Sequence, residues 1–429
     1  MKKIGLMILL VLLSMMFAGC GQKKSLTVYV VETDALYRQA VKGFAEEYTD
    51  QNVEVVSFES YEQMEEQLSA ELLSGKGPDV LLFNSRGGGT DPYKLSQSGA
   101  VLVLDDFVSG LSQDGYFTQI LDAGKMDEKQ YFIPLSWNIM QAYSTKETME
   151  NKGYYNEDFY QSLTSEFQEL EYDENHYTAS TQFGSSRGLM NYLLEVAGYS
   201  VFDQNSGQLV MKKDRVEETA ALLKLFYDEA PKRREINVLH KNDFAGAMQD
   251  LTFFLEYYPF MHNLRYYQSS FPDTANQEMY YIPVPRRDGS GVNARVIQYG
   301  AINANSENKE SAWLLLSYIL DQVPANMGFN KYETENVYYA PLNKASYQAC
   351  IDTLSNSYGI GATKRCAPLN EENALVLQEM PSKVVSAVIP NAAIDVLMQE
   401  CMNPYLNSED TFDNCYEELL ERLELYIGE

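Results

Sequence analysis

Four polar side chains lie just past two apolar runs, and their types suit recognition of a hydroxyl-rich solute. Glu32 and Asp34 follow Leu26–Val31, while Asn84 and Arg86 follow the run Val80–Phe83. Carboxylates and amides pair with hydroxyls, and a guanidinium offers several donors in one plane. Gly87, Gly88 and Gly89 come next, and glycine lets a backbone approach a ligand closely. Without a Lys-Ser/Thr helix start, the run is no phosphate loop. Asp34 also reads as a helix cap. The chain has 32 Tyr against 2 Trp, so rings that stack on a ligand would come mainly from tyrosine. Catalytic signatures are missing: there is no Gly-x-Ser-x-Gly elbow, zinc signature or Walker loop. His176, His240 and His262 are scattered, and Cys350, Cys366, Cys401 and Cys415 lack zinc-ligand spacing. Neither a metal nor a cofactor is expected.

The elements that position these residues begin with a strand over Leu26–Val31. Thr33 or Asp34 caps a helix whose buried stripe is Leu36, Ala40, Phe44 and Tyr48. Val53–Phe58 is a second strand. Ser60, with Gln63 three residues on, forms a capping box for a helix burying Tyr61, Met64, Leu68 and Leu72. Gly75, Gly77 and Pro78 end that helix before the third strand at Val80. Strand–helix alternation of this kind predicts a parallel sheet between helices, with ligands beyond the carboxyl ends of its strands. Both polar segments lie there. Further strands are expected over 139–144 and 296–302, and helices near 187–197 and 214–228. Ser306 caps a long apolar helix that places Trp313 in the core. The chain closes on an amphipathic helix with Phe412, Cys415, Leu419, Leu423 and Tyr426 on one face.

The first twenty residues carry a different message. Lys2 and Lys3 precede an uncharged apolar run, Ile4–Phe17, that ends in Ala18-Gly19-Cys20. This is the order of a signal peptide. The run is shorter than the roughly 20 apolar residues that span a bilayer. Phe17-Ala18-Gly19-Cys20 resembles the bacterial lipobox, which implies cleavage before Cys20, acylation of that cysteine and a short polar tether over 20–25. The protein is then held on the outer face of the cytoplasmic membrane by lipid alone. The net charge of −28, which loss of Lys2 and Lys3 takes to −30, argues against a nucleic-acid partner. The four later cysteines permit three disulfide pairings, and spacing does not choose among them.

Several segments, in order, resemble the extracellular solute-binding proteins of family 1, the maltose-binding-protein-like receptors of ABC importers. They are the opening strand with Ala40, Phe44 and Tyr48; Gly77-Pro78-Asp79-Val80; Ile133-Pro134-Leu135-Ser136-Trp137-Asn138; and the stretch from Ile282-Pro283-Val284-Pro285 through Tyr299-Gly300-Ala301-Ile302-Asn303 to Trp313. Tyr339-Ala340-Pro341-Leu342-Asn343-Lys344 adds a fifth. The middle, about 146–278, departs from the pattern. The resemblance implies an α/β, two-lobed, periplasmic-binding-protein-like (Venus-flytrap) fold with hinge crossings. Lobe one would be 26–138 plus 296–345, and lobe two 142–292 plus 346–429. It also implies ligand contact from Arg86, from Trp137 and Asn138 at the first crossing, from Tyr257 and Tyr258 in lobe two, and from Tyr299 on the return crossing. Trp137 equally reads as hinge packing.

The family likeness and the polar segments together imply a monomeric, non-enzymatic receptor that delivers a small solute to an ABC permease, with a sugar or oligosaccharide preferred. A pyranose offers an apolar face to a ring and an equator of hydroxyls to polar groups. Ligand that touches both lobes only when they close shifts the population toward closure, and a full shift needs roughly 5 kcal/mol. The alternatives are a lipid-anchored glycan-active enzyme, which needs two carboxylates flanking a cleft, and a receptor that feeds a membrane sensor.

Overall fold

The computed structural model of the chain describes residues 25–85, 87–88, 91–151, 153–154, 159–168, 189–203, 206–225, 253–255, 279–326, 340–355, 358–360, 364–366 and 370–428. Cys20, Arg86, Tyr257 and Tyr258 lie outside them.

The first apolar runs become strands and the four-spaced stripes become helices, as their periods require. Strand β1 spans Leu26–Val31, helix α1 Ala35–Glu47, β2 Val53–Phe58, α2 Tyr61–Leu73 and β3 Val80–Asn84. Asp34 caps α1 through the Tyr37 N–H, and Ser60 caps α2 through the Gln63 N–H. After the short helix α3, Pro92–Gln97, comes β4, Ile133–Ile139, and Met140 alone separates it from β5, Gln141–Thr145. Helices α4, Phe159–Gln168, and α5, Leu189–Val196, precede a helix over 213–225. The remaining elements used below are β6 Phe253–Leu255, β7 Met279–Pro283, β8 Val292–Ile302, α6 Lys309–Asn326, β9 Ala340–Pro341, α7 Lys344–Leu354, α8 Glu371–Lys383, β10 Val384–Val388, α9 Ala392–Leu406 and α10 Phe412–Gly428.

Two sheets result. The larger has the order β9-β4-β8-β3-β1-β2, and β10 pairs with β8. Its β1–β2 and β1–β3 pairs are parallel, while β8 runs antiparallel to β3 and β4. The smaller is antiparallel, in the order β6-β5-β7. The chain therefore leaves the large sheet at β4–β5 and returns from β7 to β8. A third passage runs through β10, which lies parallel to the start of β8 before α9 begins. The β8–β4 register shifts twice, between Val296 and Gln298 and between Gln298 and Tyr299.

Gly77-Pro78-Asp79 acts at the opposite end of the sheet from the polar segments. The Asp79 carboxylate accepts from the Thr27 N–H at 2.8 Å, from the Ser306 hydroxyl at 2.5 Å and from the Asn308 amide at 3.2 Å. It staples the start of β1 to the end of β8. Ser306 does not start its helix, because α6 begins at Lys309. The Ser306 hydroxyl accepts from the Asn308 N–H and donates to Asp79. Trp313 packs its ring on Phe107 at 5.2 Å.

Helices α5, α9 and α10 pack together, with α9 against both of the others. Phe412, Cys415, Leu419, Leu423 and Tyr426 face inward on α10 as their spacing predicts. Cys350, Cys401 and Cys415 are buried free thiols. Among the described residues no helix is long and apolar enough to cross a membrane, and no group of His, Cys, Asp and Glu side chains could hold a metal ion.

Candidate ligand-binding site

Asp34 is the centre of a polar cluster at the carboxyl ends of β1 and β3. Its carboxylate is 7% exposed and accepts from the Tyr61 hydroxyl at 2.6 Å, the Asn84 amide at 3.1 Å and the Gln298 amide at 3.3 Å. The Tyr37 N–H completes the set at 3.2 Å. Gln298 accepts in turn from the Ser136 hydroxyl at 3.0 Å. Burial first, and the nearby Asp34 charge second, raise the Tyr61 hydroxyl well above its ordinary pKa, so it stays a donor. Each strand of this corner contributes one polar group, and each has a hydrogen-bond partner within the cluster. The cluster ties β1, β3, β4 and β8 together where the two crossings meet.

Beside it the loop after β3 lies flat on α2. A Cβ on Gly87 would sit 2.3 Å from the Tyr61 ring, so only glycine permits that approach. Ser85 is held by its N–H to the Ile297 carbonyl at 2.8 Å and by its hydroxyl to the Val296 carbonyl at 3.1 Å. Glu32 is exposed at the end of β1.

The structure thus brings Asp34 and Asn84 together and leaves Glu32 nearby in solvent. It buries two of the aromatic candidates, Trp137 and Tyr299. Trp137 is 0% exposed, stacks on Tyr347 at 5.8 Å and donates its indole N–H to the Pro341 carbonyl at 3.0 Å. Its ring thus packs at the first crossing between β4, β9 and α7. Tyr299 is 1% exposed and stacks on Phe83 at 5.1 Å, so its ring faces the core. Asn138 is buried on β4. The physical reason is common to all three: they lie on strands covered on both faces, where alternation points side chains into packed layers rather than into a cleft. Sequence reasoning assigned Tyr61 only to a buried helix face and passed over Gln298. A lone glutamine inside the apolar run Val296–Ile302 was the available signal.

A cavity of about 580 Å³ opens on the other flank of the crossings. Gln119, Asp122 and Lys125, from the segment before β4, form one wall, and β10 forms another. Asn191, Glu195 and Asn391 face them from α5 and the start of α9. None of these residues was a sequence candidate, because they are polar residues of ordinary type brought together from distant parts of the chain. Behind this wall Arg295 of β8 is held between two carboxylates, Glu195 at 2.6 Å and Asp395 at 3.3 Å. Its guanidinium also lies over the Tyr192 ring at 4.5 Å. The Asn191 amide donates to Glu195 at 3.1 Å and to Asp395 at 2.7 Å. Burial is the largest influence on both acids and raises both, Glu195 to about 7. Arg295 opposes the shift by favouring the charged forms. The cluster anchors the start of β8 to α5 and α9.

Two sheets linked by three passages, with a cavity walled from both sides, define the architecture. A sequence model described as "Bacterial extracellular solute-binding protein" matches residues 29–322. The chain belongs to the bacterial extracellular solute-binding proteins. Its fold is the two-lobed, periplasmic-binding-protein-like fold with a hinge, and it is a binding protein rather than an enzyme. Among solved structures this solute-binding protein is similar to the sugar-binding protein MalE from Xanthomonas citri. That match has a TM-score of 0.65 at 12% identity and covers 94% of this chain and 98% of that one. It is also similar to an extracellular solute-binding protein from Staphylococcus aureus in complex with maltose, with a TM-score of 0.61 at 16% identity, covering 95% and 99%. An ABC substrate-binding protein from Listeria monocytogenes in complex with cycloalternan gives 0.58 at 15%, covering 94% and 99%. No curated protein sequence matches. At these identities the solved structures speak for the fold.

Proposed function

We propose that the chain is a lipid-anchored receptor that captures a sugar or oligosaccharide between its lobes and presents it to an ABC permease. The observation that carries this reading is the cavity of about 580 Å³ with walls from both lobes. That volume lies within the roughly 300–1,000 Å³ typical of small-molecule sites. The amides and carboxylates of its walls suit hydroxyls. Several structurally similar proteins were solved with maltose, cycloalternan or mannobiose. Glu32 and Asn84, which do not line this cavity, are proposed together with Arg86 as further polar contacts from lobe one, with Tyr257 and Tyr258 the proposed stacking rings of lobe two. Trp137, Asn138 and Tyr299 would act beneath them by fixing the crossings. Lobe one would comprise 26–138 plus 296–345, and lobe two 142–292 plus 346–429. The anchor rests on Phe17-Ala18-Gly19-Cys20.

A thermal-shift screen of the processed chain across sugars, peptides and polyamines tests the ligand class. A sugar that raises the melting midpoint with concentration, without being turned over, supports the reading. Stabilisation by peptides or polyamines alone would reject the sugar. Intact mass of the membrane-extracted protein tests the anchor: a chain beginning at Cys20 and carrying acyl groups is expected, and a Cys20→Ser variant should stay unacylated.

A further inference from the structure

The cavity of about 580 Å³ is short of positive charge. Among the described residues that line it are three acids, Asp122, Glu195 and Asp203, and one cation, Lys125. Lys125 is already matched, since its ammonium lies 2.6 Å from the Asp122 carboxylate. The wall of β10 brings Ser386, Ala387 and Val388 and no charge. Behind the Glu195 side of the cavity the shortage deepens, because Glu195 and Asp395 share one guanidinium, that of Arg295. The other donor between them is neutral: the Asn191 amide reaches both carboxylates. Arg286 comes no closer than through Asn293, and its own charge is matched by Asp288 at 3.2 Å. Two carboxylates against one guanidinium leave one negative charge over, and Glu195 is the member of the cluster that lines the cavity.

We propose that this cavity selects a solute carrying a protonated amino group, which within the sugar reading is an amino sugar, and that Glu195 receives it. The proposal deepens the function given above and rests on it for the place of the site. The Glu195 side chain is 13% exposed, so it reaches the cavity while its charge is little screened by water. A sugar hydroxyl at that point would add a neutral hydrogen bond and leave the surplus charge in place. An ammonium would add a charge-assisted bond, about twice as strong, and balance the cluster. Burial, opposed by Arg295 and reinforced by Asp395, raises the Glu195 carboxyl to about 7. Near neutral pH a proton can thus supply the missing charge, and a ligand ammonium does the same work with a second bond. A uronic acid would meet the opposite field and be rejected.

Isothermal titration of the processed full chain at about pH 6.5, where a sugar amine is charged, tests this. The probes are a β-1,4-linked glucosamine trimer, the same trimer fully N-acetylated, cellotriose, and putrescine. The glucosamine trimer should bind roughly tenfold tighter than either neutral trimer. Raising salt from about 50 to 500 mM should narrow that ratio in the wild type, with no variant needed. Glu195→Gln should bring the ratio close to one. Asp395→Asn should do the same although Asp395 does not line the cavity, because it leaves Arg295 and Glu195 matched; circular dichroism shows that each variant is folded. Neutral trimers that bind as tightly as the glucosamine trimer would overturn the inference and leave the sugar reading standing. Putrescine bound while every trimer fails would keep the selection of an ammonium and overturn the sugar. Binding of none of the four would overturn both.

Discussion

Replacing Asp34 by alanine tests whether the cluster at the end of the sheet stabilises lobe one. The substitution removes a helix cap, worth about 1 kcal/mol. It deprives the buried Tyr61 hydroxyl of a charged acceptor, a loss of about 2 kcal/mol. It also strips the Asn84 and Gln298 amides of their shared partner, at about 1 kcal/mol each. Because the donors share one carboxylate, the losses do not add fully, and about 3–4 kcal/mol is expected. Trp137 on β4 and Trp313 on α6 are the chain's 2 tryptophans, and both lie in the body that holds Asp34. Tryptophan emission during urea unfolding therefore follows the large sheet and its first crossing, which matters because two lobes need not unfold together. A midpoint lowered by roughly 1–2 M urea is expected at ordinary slopes. Tyr61→Phe should cost less, about 1–2 kcal/mol, and the pair should couple in a double-mutant cycle. A loss below about 1 kcal/mol for Asp34→Ala would refute the reasoning, since even a bare cap accounts for that much.

Raised carboxyl pKa values in the Arg295 cluster fix a sign for pH. Glu195 titrates higher when folded, at about 7, than its ordinary 4.5, so its contribution is full below the unfolded value and is lost as pH rises through about 7. Glu195→Gln should flatten the fall in stability between pH 5 and 8, measured by urea midpoints, and an unchanged slope would count against the cluster. Trp137 emission should hold its wavelength when a saturating ligand binds, because its ring is fully buried and its N–H bonded; a red shift of several nanometres would place it at the ligand instead. Burial pushes the Cys350 thiol up to about 12 and raises Cys401 and Cys415 as well. Peptide mapping after iodoacetamide at pH 8 should find these three unmodified in the folded chain and alkylated in urea.

Periodicity made the first five elements legible. Alternate apolar runs and four-spaced stripes bury only one way, so β1 to β3 and the helices between them follow from residue type alone. The same logic found Asp34 as a cap and the buried face of α10. Gly77-Pro78-Asp79 was visible as a pattern, but its work, stapling β1 to the segment after β8, depends on Ser306 and Asn308 more than two hundred residues away.

The amino-acid sequence by itself determined the strand–helix order, the signal-like order of the first twenty residues, and the polar residues at the carboxyl ends of β1 and β3. Only the tertiary structure decided which residues meet. Trp137 and Tyr299 look like stacking rings in a string of letters, yet crossing strands covered on both faces turn them into core. The cavity wall draws Gln119, Asn191 and Asn391 from segments with no local signal in common. Local propensity acts within a turn or a strand, whereas a site between lobes is assembled by chain passages that no short window of sequence records.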